Sequence, residues 1–160
     1  MTFPDVLKSN GTINWGEVPN GGYVLDRNGD AIKEQYVPEI GKTIDRHGPN
    51  NGRFTSPIRN NEPYSYAQRS LPYIEDPSQY HQYKVTGDLN NIEQYFNQST
   101  DVHLKQTISA YMKKFRLSFS DMVTYRGKIA SGFGEIGGGE QYELPLPVNM
   151  LEGLGLIKEI

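Results

Sequence analysis

Arginines 46, 53, 59 and 69 lie in a stretch crowded with glycine, proline and asparagine, from Gly41 to Pro72. A guanidinium fork pairs with two phosphate oxygens at once, and glycine-rich backbone can bring amide donors to the same anion. The same arginines also suit an ordinary solvated surface. A second grouping, GGGEQY at 137–142, sets three glycines before an amide and an aromatic ring. On the simplest reading Gly137, Gly138 and Gly139 form a turn, because glycine takes positive φ without steric cost. They also suit a place where backbone approaches a ligand closely, with Gln141 presented beside it.

Other chemistries are poorly supplied. The chain has no cysteine, which removes thiol nucleophiles, thiolate metal sites and disulfides. His47, His81 and His103 are scattered without zinc-ligand spacing. Neither a Walker phosphate loop nor a dinucleotide fingerprint after a strand occurs. A net charge of −3 argues against nonspecific nucleic-acid binding, and the basic KKFR at 113–116 suits a solvated helix end. No apolar run approaches a membrane span, and the first residues lack the regions of a signal peptide.

The elements that must position these groups read as strands, then helices, then strands. Asn28-Gly29 suits a hairpin turn between Val24-Leu25 and Ile32. Residues 41–72 show little periodic apolar pattern and read as a long loop, which is uncommon in a compact domain unless it carries function. QYHQYKV at 79–85 alternates as a strand does. Leu89, Ile92 and Phe96 fall near helical spacing, and Ile108, Tyr111, Met112 and Phe115 mark one face of a second helix over 101–115, capped by Asp101. MVTYRGKIA, QYELP and LGLIKEI return to strand character. The pattern predicts one α+β domain over residues 1–160, a mostly antiparallel sheet with a helical insertion and short flanking helices.

Taken together and in order, the motifs resemble the tuberculosis necrotizing toxin family of NAD glycohydrolases. They are Asp45-Arg46-His47-Gly48, Gly52-Arg53-Phe54-Thr55-Ser56-Pro57, Arg69-Ser70-Leu71-Pro72, Tyr80-His81-Gln82-Tyr83 and Gly137 to Tyr142. The resemblance covers roughly residues 22 to 160. It departs at His47, where a larger apolar or aromatic residue is expected, and at 87–126, which lengthens a shorter connection in the relatives. That segment is expected to cover the site or to meet a partner.

The resemblance implies cleavage of the nicotinamide–ribose bond of NAD or NADP, giving nicotinamide and ADP-ribose, with the nucleotide as substrate and no separate cofactor or metal. Nicotinamide leaves a pyridinium as a neutral molecule, so no general acid is needed, although the transition state is oxocarbenium-like as in other glycosides. The protein must instead grip the nucleotide, stabilise positive charge at the ribose and admit one water. On this resemblance Arg46 and Arg69 hold the pyrophosphate, and Phe54 offers a face to nicotinamide. Gly138 and Gly139 give clearance, and Gln141 orients a ribose hydroxyl or the water. Gln141, Arg46 and His81 form the expected catalytic set, His81 matching a functionally important family histidine.

Two other readings stay open. Gln141-Tyr142-Glu143 is similar to the Gln-x-Glu pattern of ADP-ribosyltransferases, with Gln141 and Glu143 on one strand face. A noncatalytic or nuclease domain using the basic helix end is the third. As a hydrolase the chain is expected to be the C-terminal effector of a larger secreted toxin, acting in the target cytosol, with a cognate immunity protein as partner.

Overall fold

The computed structural model describes residues 23–58, 62–64, 80–129 and 138–160. Strands β1 (Glu34–Gln35), β2 (Thr43–His47), β3 (Phe54–Pro57), β4 (Tyr80–Val85), β5 (Tyr125–Lys128), β6 (Glu140–Glu143) and β7 (Ile157–Glu159) form one sheet. Its order is β1-β5-β6-β3-β2-β4-β7, and every pairing is antiparallel. Helices α1 (Ile92–Gln98), α2 (Val102–Phe115) and α3 (Val148–Gly153) complete an α+β fold of the expected class.

The stretch read as a long loop holds the middle of this sheet. β2 and β3 both lie inside residues 41–72 and occupy central positions. Their alternation was hidden because, apart from Ile44 and Pro57, the buried positions are polar. Asp45 is fully buried on β2, and Thr55 and Ser56 are buried on β3. Aspartate has weak strand propensity, and buried polar side chains such as these three are stable in a sheet interior only when hydrogen-bonded.

The expected helices and outer strands form where patterning put them. β4 covers most of QYHQYKV, and the 88–98 stripe becomes α1. Asp101 caps α2, its Oδ1 accepting the Leu104 amide at 3.0 Å. The helix ends at Arg116, which takes the left-handed conformation at φ 56°. Ile108 is fully buried and Tyr111 and Met112 pack beside it, but Phe115 is exposed and leaves the expected core stripe. It sits in the last turn, past the apolar surface that α2 covers. The Asn28-Gly29 turn is also present: Asp26 Oδ1 accepts the amides of Asn28 and Asp30, and Gly29 takes φ +81°. The flanking residues form isolated bridges rather than strands.

Cross-strand register assigns each side chain to a face. Ile44 faces Tyr83, and Arg46 faces His81. Ile44, Tyr83, Val85, Tyr142 and Ile157 meet Leu89, Ile92, Ile108, Leu144, Leu146, Val148 and Leu151 in the core, so the three helices cover this side. The segment 87–126 thus supplies core residues rather than an appendage. Asp45, His47, Gln82 and Tyr80 share the other face.

Candidate functional site

Gln141 and Glu143 lie on one face of β6, as alternation requires, and Phe54 of β3 is the direct partner of Glu143. Gln141 is 8% exposed. Its partner across β5 is Gly127, which presents no side chain. The ring of Tyr23 fills that gap. A Cβ at Gly127 would stand 2.7 Å from the ring and 2.5 Å from the carbonyl oxygen of Ile32. The same ring meets Phe54 edge-on, with centroids 6.4 Å apart. Burial, then the Glu143 carboxylate, push the Tyr23 phenol far above its ordinary range, while Arg53 and Gln141 act against them. Among the described residues its buried hydroxyl finds no hydrogen bond of normal geometry.

Glu143 is held by two cations, Lys33 Nζ at 3.1 Å and Arg53 Nη1 at 3.6 Å. The Arg53 guanidinium also lies 5.7 Å from the Phe54 ring centroid and donates to the Leu144 carbonyl. Phe54 is therefore a half-buried ring between a tyrosine edge and an arginine, not a member of the main core. Gly138, at φ +86°, and the buried Gly139 lead into β6, and the Gly138 amide donates to Ile129. The Ile129 amide donates in return to the Gly139 carbonyl, so these two glycines continue the β5–β6 pairing. A Cβ at Gly138 would meet nothing within 4 Å, and the turn expected over 137–139 reaches Gly137, outside the described residues.

Arg46 and His81 stand elsewhere, as a cross-strand pair on the helix-covered face. His81 Nδ1 bonds the Glu159 carboxylate on β7, and the Glu159 amide donates to Glu152 Oε2 at 2.8 Å. Tyr83 lies between these acids and Arg46. Its phenol is pushed up to about 12, first by burial and then by Glu159 and Glu152, with Arg46 opposing. Arg46 turns under the loop between β2 and β3, donating from Nε to the Pro49 carbonyl at 2.8 Å and from Nη1 to the Phe54 carbonyl at 2.9 Å. Burial lowers its pKa, and no carboxylate pairs with it among the described residues.

The structure thus brings Gln141 to Phe54 and brings Arg46 to His81, with the sheet between the two pairs. Arg69, Arg59 and Gly137 lie outside the described residues. Sequence reading missed a third set. The Tyr80 hydroxyl donates to Asp45 Oδ2 at 2.7 Å and accepts from Gln82 Nε2 at 3.0 Å. This bond explains why an aspartate sits in the Asp45-Arg46 motif and a tyrosine in the β4 motif. Pairing of the two strands was the missing signal. Among the described residues no cluster of three or more metal-ligating side chains occurs, and no helix is long and apolar enough to cross a membrane.

Residues 39–100 match the family model described as Tuberculosis necrotizing toxin. Among curated proteins none matches the sequence. A solved structure of tuberculosis necrotizing toxin, complexed with its immunity factor, is similar over 96% of this chain, with a TM-score of 0.57 and 18% identity. The chain spans 66% of the length of that solved chain. The matched residues 39–100 contain β2, β3, β4 and the Asp45–Tyr80 bond that joins β2 to β4. Over residues 39–100 the chain is therefore similar to the tuberculosis necrotizing toxin family, and its fold is similar to that toxin's.

Proposed function

We propose that this chain is the enzymatic domain of a toxin, an NAD(P) glycohydrolase that splits the nicotinamide–ribose bond and drains the nucleotide of a target cell. One observation carries the reading within this family setting: Gln141 and Phe54 share a face on adjacent strands. Diagonal neighbours in an antiparallel pair lie roughly 7–8 Å apart. That spacing suits a nicotinamide ring against Phe54 with its ribose at Gln141. The Gln141 amide is neutral, so it serves by orienting a hydroxyl or the attacking water rather than as a base. Arg69 is assigned to the pyrophosphate, and no cofactor is required beyond the nucleotide itself.

Transfer of ADP-ribose to a protein is the alternative, and Glu143 would be its acidic residue. Glu143 is already engaged by Lys33 and Arg53, which favours hydrolysis by water. Because the solved relative is complexed with its immunity factor, a protein inhibitor of the same kind is proposed as partner here. The domain is proposed to be delivered as part of a larger secreted toxin and to act in the recipient's cytosol. Incubation of the purified chain with NAD alone tests the reading. Free nicotinamide and ADP-ribose in equal amounts are expected. Label transferred to protein would support the alternative, and intact NAD and NADP would overturn both.

A further inference from the structure

The loop between β2 and β3 is fastened on two sides. From outside, three amides of the β6–α3 region donate to its carbonyls: Leu144 to Arg53 at 3.0 Å, Val148 to Gly52 at 2.9 Å and Asn149 to Asn50 at 2.9 Å. Val148 and Asn149 open α3, where amides have no partner within the helix, and Pro147 at the N-cap offers no side-chain bond. The loop is therefore the cap of α3. From inside, the Arg46 guanidinium bonds the carbonyls of Pro49 and Phe54, at the two ends of the loop. A Cβ at Gly52 would overlap that guanidinium, and one at Gly48, where φ is +133°, would come within 3.1 Å of Nη2. Gly52 needs no unusual φ, so its lack of a side chain is a matter of room for Arg46.

We infer that Arg46 is a positioning residue: its guanidinium is the interior brace of the 48–54 loop, Gly52 is the clearance that admits it, and together they set Phe54. An arginine spent in this way acts on the nucleotide through Phe54, not by touching phosphate. The inference rests on the nucleotide reading above for its effect on turnover, but the brace itself does not. A planar fork bridges two carbonyls that a lysine ammonium cannot span with the same geometry. A methyl group at residue 52 should displace the guanidinium while leaving its charge in the protein.

Arg46→Ala, Arg46→Lys, Gly52→Ala and the Arg46→Ala/Gly52→Ala pair test it in the full chain. Each single change is expected to cut kcat/KM for NAD about 10- to 100-fold, as a misplaced contact does. The pair should be no worse than its worse member, because both remove one device. Affinity for ADP-ribose, which lacks nicotinamide, should change by roughly threefold or less. A mild Gly52→Ala, or a collapse of ADP-ribose affinity in Arg46→Ala with rescue by lysine, would overturn the brace in favour of direct phosphate contact. Amide exchange gives a readout free of activity: Leu144, Val148 and Asn149 should exchange faster in all variants than in the unmodified chain. Unchanged exchange overturns the brace. If the unmodified chain neither turns over NAD nor binds ADP-ribose while exchange still rises, the nucleotide reading fails and the brace stands.

Discussion

The two faces of the sheet bury different kinds of side chain. One face is apolar: Ile44, Tyr83, Val85 and Tyr142 meet the helices and the leucines around α3. The other keeps Asp45, Ser56 and Gln141 from water, together with the half-buried Phe54 and Gln82. Apolar burial is non-directional and scales with area, so the first face specifies stability more than detail. A buried polar group must instead find a partner in a fixed direction. That demand makes the second face costly to build and suited to holding a ligand. Arg46 and His81 belong by register to the first face, yet they lie at its polar edge, where loop carbonyls and Glu159 receive them.

The comparison breaks most readily at Leu151, which is fully buried under the apolar face. Leu151→Ala should cost about 2–5 kcal/mol of unfolding free energy, through lost transfer energy and a residual cavity. Turnover per folded molecule should stay near the unmodified value. Gln141→Ala is the opposite case. By analogy with removal of a single preorganised amide donor, it should lower kcat roughly 100- to 1,000-fold. Its midpoint in denaturant should move little and its KM less than its kcat. Urea titration and NAD kinetics on both variants decide. If Gln141→Ala unfolds like Leu151→Ala and the folded fraction turns over normally, the two faces do not differ in kind.

Legibility in the sequence follows the same division. β4, α1 and α2 show hydrophobic periodicity or a capping aspartate, because each has one apolar side and one more exposed side. β2 and β3 do not, since the polar Asp45, Thr55 and Ser56 hold buried positions, Asp45 and Thr55 through Tyr80 and Tyr142, partners far away in sequence. α3 escaped because it is short and its amides are capped by carbonyls of another segment, so no N-cap side chain announces it. The motifs marked the candidate residues. They could not say that Arg46 and Gln141 separate across the sheet, which only strand register decides. Gly52 is the sharpest instance: a glycine in a motif is readable, but the guanidinium it accommodates is not.

A smaller effect is expected at Tyr80. Its hydroxyl donates to the fully buried Asp45 and accepts from Gln82. Tyr80→Phe keeps the ring and its packing on His47, where centroids lie 4.6 Å apart. It takes one donor from a buried carboxylate, which should cost about 1–3 kcal/mol. Asp45 lies on β2, two strands from Gln141, and the bonded oxygen turns to Tyr80 on β4, so kcat should fall less than in Gln141→Ala. An unchanged unfolding midpoint would mean that the hydroxyl contributes nothing to that face.

The smallest expected effect is at Asp101, and it bears on whether the helical segment takes part in the site. Asp101 is exposed and acts locally, accepting the Leu104 amide at the start of α2. Its charge also suits the positive end of the helix dipole. α2 meets the rest of the molecule through Ile108, Leu104, Tyr111 and Met112, all on the apolar side of the sheet. Loss of the cap should therefore be felt as stability alone, about 1 kcal/mol in Asp101→Ala. Asp101→Ser should recover most of it, because a hydroxyl can accept the same amide. NAD turnover should be unaltered in both variants at temperatures where they are folded. A drop in turnover at an unchanged unfolding midpoint would contradict this, and would tie α2 to the face that holds Gln141 and Phe54.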